Sequence, residues 1–170
     1  MPGADPGPLA APPVIARVGE DDWQVWRDVR LAALADAPEA FASGTEPEAA
    51  LAEDDWRAMI RTAAIFVATA GRTGVGVVAG LPRESPGERG LGAMWVAPSW
   101  RGRGVAAALA GAVIAWARSE GCARIGLWVA ADSPRARRFY QRQGFRATGQ
   151  ARPFPNDATR TIDEMVLELN

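Results

Sequence analysis

The chain has no histidine, a single cysteine and a single tyrosine. It also has no apolar run long enough to cross a membrane. Without histidine, the commonest general base, the Ser-His-Asp triad and the usual zinc sites are gone, and no metal is expected. Acid–base chemistry is left to carboxylates, the tyrosine or water. The lone Cys122 cannot close an internal disulfide. Its apolar neighbours make it a buried thiol rather than a nucleophile, since a reactive cysteine needs an electropositive, partly exposed setting. Neither sign of charge is in excess: 19 basic and 20 acidic residues leave a net charge of −1. Nucleic acid and membrane surfaces are therefore not expected partners. There is no G-x-x-x-x-G-K-[ST] loop, and no G-x-G-x-x-G follows an N-terminal strand, which argues against Walker-type and dinucleotide sites. Met1 to Pro13 lack the basic start and apolar centre of a secretion signal. With five prolines and two glycines they read as a flexible lead-in, and the expected compartment is the cytoplasm.

What remains is one domain, 14–170, with an ordinary apolar share of 48%. Val14 to Val18 reads as a strand. Asp21 or Asp22 is placed to cap a helix that runs to about Asp36 and ends at Pro38. A second helix is expected from Glu48 to Thr62, with Ala52, Trp56, Met59 and Ile60 on one face. Ala64 to Ala70 and Val75 to Leu81 read as paired strands, Pro82 to Arg89 as a polar turn, and Leu91 to Val96 as a buried strand. Val105 to Ser119 is a helix closed by Gly121. Arg124 to Ala130 is a strand, and Pro134 to Gln143 a helix capped by Asp132 or Ser133. Phe145 to Ala151 and Thr161 to Leu169 close the chain as strands joined through Pro153 to Asp157. Mixed order with hairpin links implies a mixed, mostly antiparallel α/β sheet with helices on both faces.

The segment Val96-Ala-Pro-Ser-Trp-Arg-Gly-Arg-Gly-Val-Ala106 carries the most chemistry. A strand runs into a basic glycine turn, which opens a helix. Glycines let the backbone bend and approach a ligand. The first helical turn offers unpaired N–H groups and the positive end of the dipole. Together they describe a seat for phosphate or pyrophosphate.

Arg101-x-x-Gly104-x-Ala106, with Val96-x-Pro98 before it, resembles the R/Q-x-x-G-x-G/A signature of the GCN5-related N-acetyltransferases, the GNAT superfamily. Ser133-Pro-Arg-Ala-Arg-Arg-Phe-Tyr-Gln-Arg-Gln-Gly-Phe145 resembles that family's second motif, N-x-x-A-x-x-F/L-Y-x-x-x-G-F. The resemblance covers residues 14 to 169, and Arg30 to Phe41 with Trp56 is similar to a bacterial branch. It implies a twisted sheet with a splayed central pair, Leu91–Val96 and Arg124–Ala130, and acetyl-CoA as co-substrate between them. It makes 14–170 an acyl-CoA N-acyltransferase domain. The pyrophosphate would lie on main-chain N–H groups of Gly102, Arg103, Gly104, Val105, Ala106 and Ala107, with Arg101 and Arg103 reaching phosphate oxygens. Pantetheine would pair with the backbone of Met94, Trp95 and Val96, and an N–H near Val96 would steady the oxyanion. Tyr140 falls where the family places the acid that protonates the departing thiolate. Read without the motif, Tyr140 is a core aromatic packed with Phe139.

Two positions depart from the family pattern. Ser133 replaces the asparagine, and keeps the options of capping the helix or bonding pantetheine. Trp128 stands where ribosomal-protein acetyltransferases carry a glutamate base, which argues against that subclass. The base then falls to Glu164, with Asp157, Glu46 and water as alternatives. Trp23, Trp26, Trp56 and Trp116 are expected in the core, Trp95 and Trp128 in the acceptor pocket. The activity implied is transfer of acetyl to a primary amine without an acyl-enzyme, because Cys122 is poorly placed for one. The acceptor expected is a small molecule such as an amino acid, polyamine or antibiotic. A protein or peptide acceptor and a non-catalytic acyl-CoA-binding module are the alternatives. The family admits a homodimer, which nothing in the sequence fixes.

Overall fold

A computed structural model describes residues 11–41 and 45–170. The first ten residues of the expected lead-in lie outside the described residues, as does the Glu46 side chain. The strands are β1 (Val14–Arg17), β2 (Ala64–Ala70), β3 (Thr73–Pro82), β4 (Glu88–Val96), β5 (Arg124–Ala130), β6 (Arg146–Phe154) and β7 (Asp157–Glu168). They form one sheet in the order β1-β2-β3-β4-β5-β7-β6. Every neighbouring pair is antiparallel except β4 with β5. The helices are α1 (Trp23–Asp36), α2 (Thr45–Ala49), α3 (Glu53–Thr62), α4 (Val105–Ser119) and α5 (Pro134–Arg142). The mixed, mostly antiparallel α/β architecture is the one expected.

Helices cover both faces of the sheet. Successive strand residues point to opposite sides. On β3, Ala79 lines a cavity shared with Trp26 of α1 and Met59 of α3, while a Cβ on the next residue, Gly80, would lie 2.4 Å from Trp116 Cζ3 of α4. The apolar stripe of α4 therefore sits directly on β3. Leu109 and Val113 of α4 are fully buried there with Val78 of β3, which shares the Gly80 face, and Val75, Val77 and Ile125 are fully buried elsewhere in the core. On the other face Trp26 and Trp56 meet edge to face at 6.1 Å. Both indole N–H groups are buried without a partner, a loss of about 1–3 kcal/mol each that the ring packing must outweigh. Trp23 and Trp116 pack at the margin of the same core, and Cys122 is buried, as expected.

The expected helix from Glu48 to Thr62 is two helices. The Ala52 N–H is bonded by the Asp55 carboxylate at 2.9 Å, and Glu53, Asp54 and Asp55 fill the first turn of α3, where negative charge suits a helix start. A new N-terminus forms there instead of continuing α2. The last two strands are also longer than expected. They run up to a two-residue turn at Pro155-Asn156, with Phe154 opposite Asp157. Pro153 is tolerated because β6 is an edge strand and need not donate on its outer side. Neither Asp22 nor Ser133 caps its helix through a side chain; the Asp132 carboxylate pairs instead with Arg160.

Gly80 is where α4 comes closest to the sheet. Gly80→Ala is expected to destabilise the fold by about 1–3 kcal/mol, because the Trp116 ring must move. Urea unfolding of the two proteins measures it; an unchanged midpoint would contradict this packing.

Candidate active site

β4 and β5 are paired over three positions only, Glu88 with Arg124, Arg89 with Ile125 and Gly90 with Gly126. Past Gly90 the two strands are no longer paired. β4 stays on β3 but carries an extra residue: Trp95 lies opposite Val77 and Gly92 opposite Ala79. Ala93 absorbs the bulge at φ +54, a left-handed conformation that costs a non-glycine residue about 1–2 kcal/mol. A bulge bends its strand and leaves residues unpaired. Here Ala93 and Met94 have no opposite number on β3.

Two cavities open at this parting of the strands. One, of about 650 Å³, runs along the glycine turn. Met94, Trp95, Val96, Arg101, Gly102, Gly104, Val105, Ala106 and Ala107 line it, with Tyr140 of α5 and Ser133, the residue before that helix, also in its wall. The other, of about 700 Å³, lies among α1, α3, β5 and the β6–β7 hairpin. Ala40, Phe41, Met94, Ser133, Ala136 and Tyr140 belong to both walls.

The glycine turn suits an anion. Gly102 and Gly104 sit at φ +75 and +81, which their lack of a side chain permits. Gly104 is the N-cap of α4, with no side-chain cap and no acidic residue in the first turn. The first helical bond is donated by Ala108 to the Gly104 carbonyl, which leaves the N–H groups of Val105, Ala106 and Ala107 without helical partners. Arg101 is bonded within the protein. Its Nη2 donates to Asp36 Oδ2 at 2.6 Å and its Nε to the Val96 carbonyl at 2.9 Å. Trp95 Nε1 donates to the same Asp36 oxygen at 2.9 Å. This knot fastens the end of α1 to the glycine turn, with Arg101 also in the wall of the first cavity. Arg103 stands over the Trp100 ring, 5.7 Å from its centre, and is not part of the cavity wall.

Tyr140 is buried between Phe139 and Phe145, with ring centres 5.0 and 5.7 Å away. It is at once a core aromatic and a wall of both cavities. Burial pushes its phenol well above the ordinary value of 10.0, because the phenolate would be poorly solvated. The group therefore keeps its proton at neutral pH.

Residues 26–145 match the sequence model of the acetyltransferase (GNAT) family. The chain belongs to that family. Solved structures share its fold at low identity. The GNAT acetyltransferase from Streptococcus pneumoniae is 16% identical, aligned over 92% of this chain and 99% of its own, with a TM-score of 0.76. The yncA protein from Salmonella typhimurium, solved with its cofactor acetyl-CoA, is 16% identical over 94% and 95%, with a TM-score of 0.73. The ribosomal-protein-S18-alanine N-acetyltransferase from Escherichia coli is 17% identical over 92% and 94%, with a TM-score of 0.67. No curated protein matches the chain.

Within this GNAT chain, the other expected site residues are placed differently. Glu164 lies on β7 opposite Trp128, but it is not in either cavity wall. Its carboxylate accepts from Arg83 Nη2 at 2.6 Å and from Thr148 Oγ1 at 2.9 Å. Burial alone would raise its pKa, but these bonds and the Arg83 and Arg124 charges hold it below the ordinary value. A carboxylate so bonded is a poor base, and the role expected of Glu164 is not supported. Asp157 bonds Thr159 in the hairpin, away from both cavities. The two tryptophans expected in one acceptor pocket fall in different cavities, Trp128 in the second and Trp95 in the first. Sequence reasoning missed Glu39, Arg152 and Arg160 in the second cavity. It also missed the pair beneath them, where Arg30 grips Glu48 with two bonds of 2.9 and 3.0 Å. Arg30 and Glu39 lay within a noted segment; nothing local marked Glu48, Arg152 or Arg160 as site residues.

Arg30 and Glu48 are nearly buried, at 12% and 9% side-chain exposure. Glu48→Ala leaves a buried guanidinium unpaired and is expected to cost about 3–5 kcal/mol. Replacing both residues, Arg30→Met with Glu48→Leu, is expected to recover most of it. Equal losses in the single and double variants by urea unfolding would contradict a buried, coupled pair.

Proposed function

We propose that this protein transfers the acetyl group of acetyl-CoA to the primary amine of a small molecule by direct attack. The observation that carries this reading is the wall common to both cavities, with Tyr140 in it. One cavity leads to an uncapped, glycine-opened helix N-terminus, and the other is a separate acceptor-sized space.

The residues present fit acetyl-CoA, which supplies the acetyl thioester when bound. The N–H groups of Gly102 to Ala107 hold the pyrophosphate. The unpaired backbone at Ala93 and Met94 accepts the pantetheine amides as an added strand, and Ser133 offers a hydroxyl across from it. A neutral amine forms the new C–N bond as the C–S bond breaks, and an N–H of β4 near Val96 steadies the carbonyl oxygen. Tyr140 gives its proton to the departing sulfur, and the amine proton passes to water. Glu39, the one carboxylate among the described residues lining either cavity, draws the ammonium form in. A small acceptor is favoured because Arg160 closes one side of the second cavity. It donates to the Glu39 carbonyl at 2.9 Å and pairs with Asp132 at 3.3 Å, tying the hairpin to the turn after α1.

The chain contains no lysine, so labelled acetyl found on a side-chain ε-amine must belong to an added acceptor. Tyr140→Phe is expected to lower kcat by about 100-fold or more, with acetyl-CoA affinity little changed. In the wild-type protein the rate should rise with pH as the amine deprotonates, with no falling limb up to pH 10, because the phenol titrates above its ordinary 10.0. Thiol release from acetyl-CoA across an amine panel reads both. Full turnover in the Phe variant would remove Tyr140 from the chemistry. Peptides acetylated far faster than any free amine would contradict the small acceptor.

A further inference from the structure

The second cavity has an apolar body and an arginine-rich rim. Phe41, Met59, Ile65, Leu81 and Leu91 supply the body. The charged residues in its wall are Arg30, Arg152, Arg160 and Glu39. Two of the arginines are already matched by carboxylates: Arg30 by Glu48 and Arg160 by Asp132. Arg152 is different. Its guanidinium carbon lies over the Trp128 ring, 4.1 Å from the ring centre, and no carboxylate pairs with it among the described residues.

Stacking on an indole holds a guanidinium by its face and leaves its edge N–H groups for a planar acceptor. A carboxylate fits that edge with two parallel bonds. A polyamine meets the opposite situation, since its second cation would face an unmatched positive charge.

We infer that the acceptor is an amine that also carries a carboxylate, with an apolar side chain: an apolar amino acid, whose carboxylate Arg152 binds while Trp128 holds the guanidinium in place. This rests on the acetyl-transfer reading above and narrows it to one class of acceptor. A peptide or protein N-terminus lacks the neighbouring carboxylate and is disfavoured by the same contact.

The test compares matched pairs of acceptors, leucine with isoamylamine and phenylalanine with phenethylamine, with leucinamide and spermidine alongside. kcat/KM for each amino acid is expected to exceed that of its decarboxylated partner by about 10- to 100-fold, the worth of a charge-assisted contact. Arg152→Gln should bring that ratio toward one, and Arg152→Lys should restore part of it. Arg152 is exposed on an edge strand, so the variants are expected to fold, as circular dichroism will show. A second readout is binding: with CoA present, leucine or phenylalanine should raise the melting temperature and their amines should not. Equal use of both members of a pair, a ratio that survives Arg152→Gln, or no stabilisation by either amino acid overturns the inference. Transfer to amines regardless of a carboxylate would overturn it while leaving acetyl transfer intact. Absence of any response to acetyl-CoA would overturn the transfer reading itself.

Discussion

Three residue pairs hold β4 to β5, ending at Gly90 with Gly126, and past them the two strands are not paired. That parting creates the site. It is enforced at both ends. At the closed end, Arg83 lies across Gly126 so tightly that a Cβ there would come within 1.4 Å of its Nη1. The same guanidinium donates to Glu164 on β7 and approaches Glu88 on β4 at 3.7 Å. One cation thus joins three strands where the sheet is continuous. At the open end, the Ala93 bulge bends β4, and Tyr140 of α5 fills part of the gap without closing it. The carboxylate of Glu164 belongs to the closed end. Its role there is to hold the strands, which accounts for its absence from the cleft.

The two cavities are linked mechanically. Asp36 ends α1, whose Trp26 and Arg30 wall the second cavity, and its carboxylate accepts from both Trp95 Nε1 and Arg101 Nη2. Arg101 in turn takes the Val96 carbonyl. A contact of this kind fixes the glycine turn relative to α1 before any ligand arrives. Preorganised backbone donors need little further ordering when an anion binds. The same logic applies to Arg152, which lies over Trp128 at the rim of the second cavity.

Much of this was legible in the sequence. α4 from Val105 to Ser119 and β5 from Arg124 to Ala130 have the expected bounds, because the run of α4 lies between Gly104 and Gly121 and that of β5 between Gly121 and the helix start at Asp132-Ser133-Pro134. The glycine turn was visible through local spacing, and Tyr140 through the resemblance of its segment to the family's second motif. What was not visible depends on partners distant along the chain. Arg101 meets Asp36 across 65 positions and Glu164 meets Arg83 across 81. No local pattern tells a carboxylate bonded to arginine from one facing a cleft. The break between α2 and α3 was missed because periodicity ran through Ala52, whereas the Asp55 cap decided the boundary. The β6–β7 hairpin was shortened because prolines suggested a loop, and only the position of β6 at the sheet edge makes Pro153 acceptable.

The claim that matters most is that acetyl-CoA enters between β4 and α5 with its pyrophosphate on the N-terminus of α4. Hydrogen–deuterium exchange with and without acetyl-CoA reads this directly. Slower exchange in the peptides holding 102–107 and 93–96, with little change in β1, β2 and β6, is the expected result. Protection elsewhere, or none at saturating acetyl-CoA, would contradict it.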